Sequence, residues 1–181
     1  MQILVLTGSP HKHGTSARLT AEFIAGAKAA GHTVERFDAA FADVKPCKGC
    51  YYCRKHKGKC VYQDDMSPLL SEQGKIMAAD IIVFATPLYY FGMSAQLKTV
   101  LDRFYSLGRS LRQRSQKAIL LATSGDDADW TMGGLTEQFQ AVCRWAHWQE
   151  AGTILALGCH DMEDLEKTDF PAEAYRLGAT L

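Results

Sequence analysis

Five short apolar runs punctuate the chain: ILVL (3–6), VERF (34–37), IIVFA (81–85), AILLA (118–122) and TILAL (153–157). Four of them are almost continuously apolar, the mark of strands buried on both faces, while VERF alternates and suits a more exposed edge. The segments between the runs carry helical spacing. Leu19, Phe23, Ala27 and Ala30 share one face, and Gly31 follows as a helix-ending glycine. Leu69, Leu70, Gln73, Ile76 and Met77 make a weaker stripe; Leu97, Val100, Leu101 and Phe104 make a strong one, as do Leu135, Phe139, Val142 and Ala146. Strand and helix alternating in this way demand right-handed crossovers, and so predict an α/β fold with a parallel sheet and helices on both sides. Ligands of such sheets sit beyond the carboxyl ends of the strands, where the strand order reverses. The loops that follow the apolar runs are therefore where chemistry is expected.

Composition narrows the picture without changing it. The 181 residues suit one domain, 1–181, with a cysteine-rich insertion at about 43–65. The 20 Lys and Arg balance the 20 Asp and Glu, so no overall field argues for nucleic acid or for an acidic membrane surface. The apolar stretch after Met1 is too short for a signal peptide or a membrane span. A cytoplasmic location is the resulting expectation. Cysteines stay reduced there, so clustered ones read as metal-binding or redox-active rather than as disulfides.

After the first run comes TGSPHKHGTSARL (7–19). Gly8 and Gly14 permit tight turns, Ser9, Thr15 and Ser16 offer hydroxyls, and the amides opening the next helix favour an anion. The spacing is neither a Walker loop nor G-x-G-x-x-G, since Pro10 stands where the second glycine would. Thr15 or Ser16 acting only as a helix cap would use the same residue types. After the third run, ATPLYYFGMSAQLKTVLDRF (85–104) places Pro87, Leu88, Tyr89, Tyr90, Phe91 and Gly92 in one short turn, with Ser94 able to cap the following helix. Such a loop supplies an apolar wall and backbone amides for the edge of a planar ring, or else plugs the core or an interface. After the fourth run, Thr123, Ser124 and Gly125 form a third candidate wall, with Trp130 read as a packing residue.

These motifs resemble the flavodoxin-like NAD(P)H-dependent FMN reductase and iron–sulfur flavoprotein family. LTGSPHKHGTSARL (6–19) is similar to its opening loop, with His11 where an arginine is common, and T-P-x-Y, M-S-x-x-L-K and D-R of 86–103 match its second flavin loop. The resemblance implies a three-layer sandwich around a five-stranded parallel sheet of order 2-1-3-4-5. It implies FMN held by Ser9, His11, Gly14, Thr15 and Ser16 at the phosphate, and by Pro87–Gly92 and Thr123–Gly125 at the ring. NAD(P)H would be the reductant, a quinone, azo, nitro or flavin compound the small-molecule acceptor, and a homodimer or higher homo-oligomer the assembly. No catalytic acid or base is expected, because the hydride chemistry belongs to the cofactor.

PCKGCYYCRKHKGKC (46–60) holds four of the six cysteines, Cys47, Cys50, Cys53 and Cys60. Their C-x2-C-x2-C-x6-C spacing suits a 4Fe-4S cluster, an all-thiolate zinc site, or metal-free thiols in a loop that shapes the substrate pocket, with Tyr51 and Tyr52 near the ring. The resemblance also runs both ways, to iron–sulfur flavoproteins and to simpler flavin reductases. Three readings therefore stand: the reductase, an iron–sulfur electron carrier and a zinc-stapled module. Cys143 and Cys159 read as buried structural cysteines, and His147 as a packing residue. His160 and the acidic stretch 161–166 carry no legible chemistry.

Overall fold

A computed structural model describes residues 1–181. Five long strands build one parallel sheet: β1 (Gln2–Thr7), β2 (Thr33–Asp38), β3 (Ile81–Tyr89), β5 (Lys117–Thr123) and β6 (Gln149–Ala156). A two-residue strand β4 (Gly92–Met93) folds back antiparallel on the end of β3. The sheet order is β2-β1-β3-β5-β6, which for the five long strands is the expected 2-1-3-4-5.

Alternation along the strands separates two cores. Leu4, Leu6, Ile82, Phe84, Leu120 and Ala122 face one side, packed by α4 (Ala95–Arg103) and α6 (Gly133–Ala146). Ile3, Val5, Val83, Ile119 and Leu121 face the other, against Leu19, Phe23 and Ala27 of α1 (Thr15–Ala29). Burial on both faces is why the three central strands are continuously apolar. Edge strand β2 is the more exposed one, as its alternating pattern predicts.

Two expectations are revised, and the tail takes a form the sequence left open. The stripe at 69–77 yields only a short helix, α3 (Lys75–Ala78). Gly74 lies against the Leu69 carbonyl where no Cβ would fit, so the chain turns there before helix begins. Gln116 then pins the end of α3, donating to Ile76 O and Ala79 O, each at 2.7 Å. The last strand starts at Gln149, ahead of the apolar run at 153, and its pairing with β5 shifts register between Ala118 and Ile119. The tail after Gly158 is ordered as α7 (Met162–Glu166) and α8 (Phe170–Ala179).

Helix α8 crosses α1 at very close range. A methyl group on Gly26 would collide with the Tyr175 carbonyl, and one on Gly178 with the Phe23 carbonyl. Gly178→Ala should therefore force the helices apart and destabilise the fold by about 1–3 kcal/mol, the usual cost of overpacking. Urea denaturation reads this as a lower midpoint at unchanged slope.

Candidate functional site: a cleft at the strand ends

The loops after β1, β3, β5 and β6 converge on one open cleft of about 650 Å³. They are tied together by hydrogen bonds. Gly8 N–H donates to Ala85 O at 2.9 Å, and Ser94 Oγ donates to Gly8 O at 2.8 Å, with no room for a side chain on Gly8 beneath it. Ser94 also accepts from Leu97 N–H and so caps α4, as its position predicted. Ser124 N–H donates to Ala156 O and Cys159 N–H to Ser124 O, joining the last two loops.

The first loop ends on Gly14, the N-cap of α1, and no side chain satisfies the amides of the first turn. No acid lies in that turn. An uncapped helix start of this kind presents free N–H groups and a positive dipole end to the cleft. Neither Thr15 nor Ser16 caps the helix. Instead Ser16 Oγ shares a 2.7 Å hydrogen bond with Thr123 Oγ1, and Thr15 Oγ1 donates to the same oxygen at 3.2 Å. That link fixes the end of β5 to the start of α1. Ser9 Oγ accepts from His11 N–H at 3.2 Å and shapes the turn. Lys12, His11, His13 and His160 add cations or polar rings around the opening. Its single acid, Asp161, is engaged in capping α7, accepting from Asp164 N–H at 3.0 Å.

Ser9, His11, Gly14, Thr15, Ser16, Pro87, Leu88, Tyr89, Thr123 and Gly125 all line this cleft. Tyr90, Phe91, Gly92 and Ser124 do not. Tyr90 and Phe91 occupy the turn of the β3–β4 hairpin at φ 46° and 64°, a left-handed pair normally given to Asn and Gly. Tyr90 is 97% exposed, and Phe91 stacks on Trp130 at 5.3 Å, outside the cleft. Trp130 itself is exposed in the single chain and does not line the cleft. Ser124 is buried and accepts from Asp126 N–H. The cleft is also lined by Cys159, His160, Asp161 and Met162, which follow β6; in sequence Cys159 reads only as structural, and the other three carry no legible chemistry. The strand-end rule points to them, but no motif marks them.

The cysteine segment forms a separate feature. Cys47, Cys50, Cys53 and Cys60 line one small cavity of about 30 Å³ with Arg103 and Tyr105. No three His, Cys, Asp or Glu side chains are gathered closely enough to hold a metal ion. Tyr51 and Tyr52, expected near a ring in the cleft, instead contact Tyr105 and His56. His147 is exposed at φ 59°, ending α6, not packed inside. Cys143 and Cys159 are buried as expected, and burial pushes the Cys143 thiol up to about 12.

A buried ion pair holds the cysteine segment to α4. Arg103 donates to Asp64 Oδ2 at 2.7 Å, Asp64 Oδ1 at 3.2 Å and Lys45 O at 2.8 Å, and both side chains are at most 2% exposed. Burial alone would push the Asp64 carboxyl up. The Arg103 guanidinium and the amides of Lys45 and Met66 outweigh it and hold the carboxyl below its usual value.

The profile of a flavodoxin-like fold family matches residues 1–179. The chain belongs to that family. An iron–sulfur flavoprotein of Methanocaldococcus jannaschii is 33% identical over 68% of this chain, and the match spans 63% of that protein's length. The Bacillus subtilis protein YwqN, named for an NAD(P)H-dependent FMN-containing oxidoreductase, is 26% identical over 87% of this chain and 86% of its own. The structure of an NAD(P)H:quinone oxidoreductase from Methanothermobacter marburgensis superposes with a TM-score of 0.70 at 22% identity, covering 99% of this chain and 96% of that one. No helix is long and apolar enough to cross a membrane.

Because the folded Asp64 carboxyl is held below its unfolded value near 3.9, its ion pair stabilises fully above about pH 4 and loses this contribution as pH falls through the lower folded value. Asp64→Asn should cost about 3–5 kcal/mol at pH 7 by stranding the Arg103 charge. The gap between wild type and variant should shrink below about pH 4, measured by urea melts across pH.

Proposed function

We propose that the chain is an FMN-dependent NAD(P)H oxidoreductase that passes reducing equivalents to a small quinone, azo, nitro or flavin acceptor. One observation carries the reading: an uncapped helix start and the ends of three further strands meet in a single cleft at the point where strand order reverses. The cleft suits the cofactor at both ends. The α1 amides, Ser9 and Thr15 would hold the phosphate, with Lys12 offsetting its charge and the histidines offering ring nitrogens as further hydrogen-bonding groups. Pro87–Tyr89, Thr123 and Gly125 would flank the isoalloxazine. FMN, when bound, supplies the hydride-accepting and electron-donating chemistry. The chain binds it, orients it and keeps one face open to reductant and acceptor in turn.

The relatives' names support this reading, YwqN for FMN and NAD(P)H and the Methanothermobacter protein for a quinone acceptor. In the same proposal the protein acts in the cytoplasm as a homodimer, and a second chain covers the exposed aromatics Tyr90, Phe91 and Trp130 beside the cleft.

A second reading adds a four-iron cluster on Cys47, Cys50, Cys53 and Cys60. It is favoured by all four cysteines lining one cavity, backed by buried Arg103, whose Nε has no hydrogen-bond partner. A cation there suits an anionic thiolate cluster. The thiols are not gathered to ligating distance in this fold, so no step of the proposed reaction passes through them.

Ser9→Ala combined with Thr15→Ala should weaken FMN binding at least about tenfold, the effect of losing hydrogen bonds to a charged group. Quenching of flavin fluorescence on titration reads it; undiminished affinity in a folded variant would remove the phosphate assignment. For the second reading, protein purified without oxygen should carry about four iron and four sulfide per chain, and iron-free protein with full flavin reductase activity would dismiss it.

A further inference from the structure

A second cleft, of about 910 Å³, lies where the cysteine segment meets the turns after α4. It shares no lining residue with the strand-end cleft. Arg54, Lys57, Arg109 and Arg112 line it, and all four are exposed. None of them belongs to any salt bridge in the chain.

This concentration of charge is built by the fold. No Asp or Glu occurs at 44–63 or at 103–125, although acids and bases balance over the whole chain. The fold brings these two acid-free stretches together. Gly58, at φ 80°, lets the cysteine segment approach the Ser106 carbonyl, which would lie 3.0 Å from an added Cβ. Gly108 makes the same allowance for the ring of Trp145, also at 3.0 Å. The one carboxylate on the rim, Glu72, pairs with none of the cations. Four like charges held in a concavity repel one another, and a bound polyanion relieves that repulsion.

Aromatic surface accompanies the charge. Trp145 is 49% and Tyr105 42% exposed on the wall of the cleft. The Arg54 guanidinium lies over Tyr105 at 5.5 Å, and that of Arg112 over Trp145 at 5.9 Å. Arg112 also reaches His147 Nε2 at 3.4 Å. These contacts orient guanidinium forks, the groups that match phosphate oxygens in pairs, beside flat rings on which a planar ligand can stack. The cleft has the size of a small-molecule site, and its concavity does not suit a flat protein contact.

We propose that this cleft binds a nucleoside di- or triphosphate, with its phosphates on Arg54, Lys57, Arg109 and Arg112 and its base against Trp145 and Tyr105. The site is independent of the proposed flavin site, so the two ideas fail separately. Calorimetric titration of the full chain with ADP at low salt, with and without excess FMN, tests it. ADP should bind saturably at one site per chain, with FMN leaving the isotherm unchanged. Arg54→Ala with Arg112→Ala, both at exposed positions, should weaken ADP at least about tenfold while far-ultraviolet circular dichroism stays constant. Trp145→Leu should weaken ADP but spare inorganic pyrophosphate, because only the base would lose its partner. Absent saturation, displacement of ADP by FMN, full affinity in the double Arg variant, or equal loss of ADP and pyrophosphate in the Trp145 variant would each overturn the proposal.

Discussion

The pairing of β1 with β3 is the constraint on which the site depends. Thr7 stands opposite Ala85, and Pro87 opposite Thr123, so the first, third and fourth long strands end side by side. The chain leaves β1 toward one face of the sheet and β3 toward the other, and a crevice opens between the departing loops. Within it, Gly8 must lack a side chain for Ser94 to reach its carbonyl, and the Thr15–Ser16–Thr123 hydroxyl cluster locks the helix start to β5. The amides that would meet a phosphate are thereby held in place by the sheet itself. Preorganisation of this kind spares a ligand the cost of ordering its own site.

The Arg103–Asp64 pair plays the corresponding part for the other half of the molecule. Taking both charges out of water is costly, and the hydrogen bonds to Lys45 O and from the amides of Lys45 and Met66 make it tolerable. It anchors a long, base-rich connection that contains no Asp or Glu between residues 44 and 63. The consequence is electrostatic. In a chain with no net charge, four unpaired cations, Arg54, Lys57, Arg109 and Arg112, are gathered around the second cleft.

How legible all this was depended on the physics of each element. The strands could be read because burial on both faces makes a run continuously apolar, and the loops after them because ligand sites follow strand ends. The α1–α8 crossing could not, since it is made by Gly26 and Gly178, which leave no hydrophobic signature. Nor could the hairpin turn: Tyr90 and Phe91 adopt a backbone that local preference assigns to other residues, and only tertiary structure imposes it. Arg103 and Asp64 are 39 positions apart, and no periodicity relates them. His160 and Asp161 carry no chemistry legible in sequence because their loop has position but no motif. The four cysteines were plain in sequence, yet their spacing alone did not decide between a cluster and free thiols.

A crystal structure of the chain grown with FMN tests the central claim most directly. The phosphate should lie against the amides of Gly14–Ser16 with Ser9 and Thr15 in contact, and the ring between Pro87–Tyr89 on one side and Thr123 and Gly125 on the other. FMN bound elsewhere, or a strand-end cleft that stays closed to it at saturating concentration, would contradict the account.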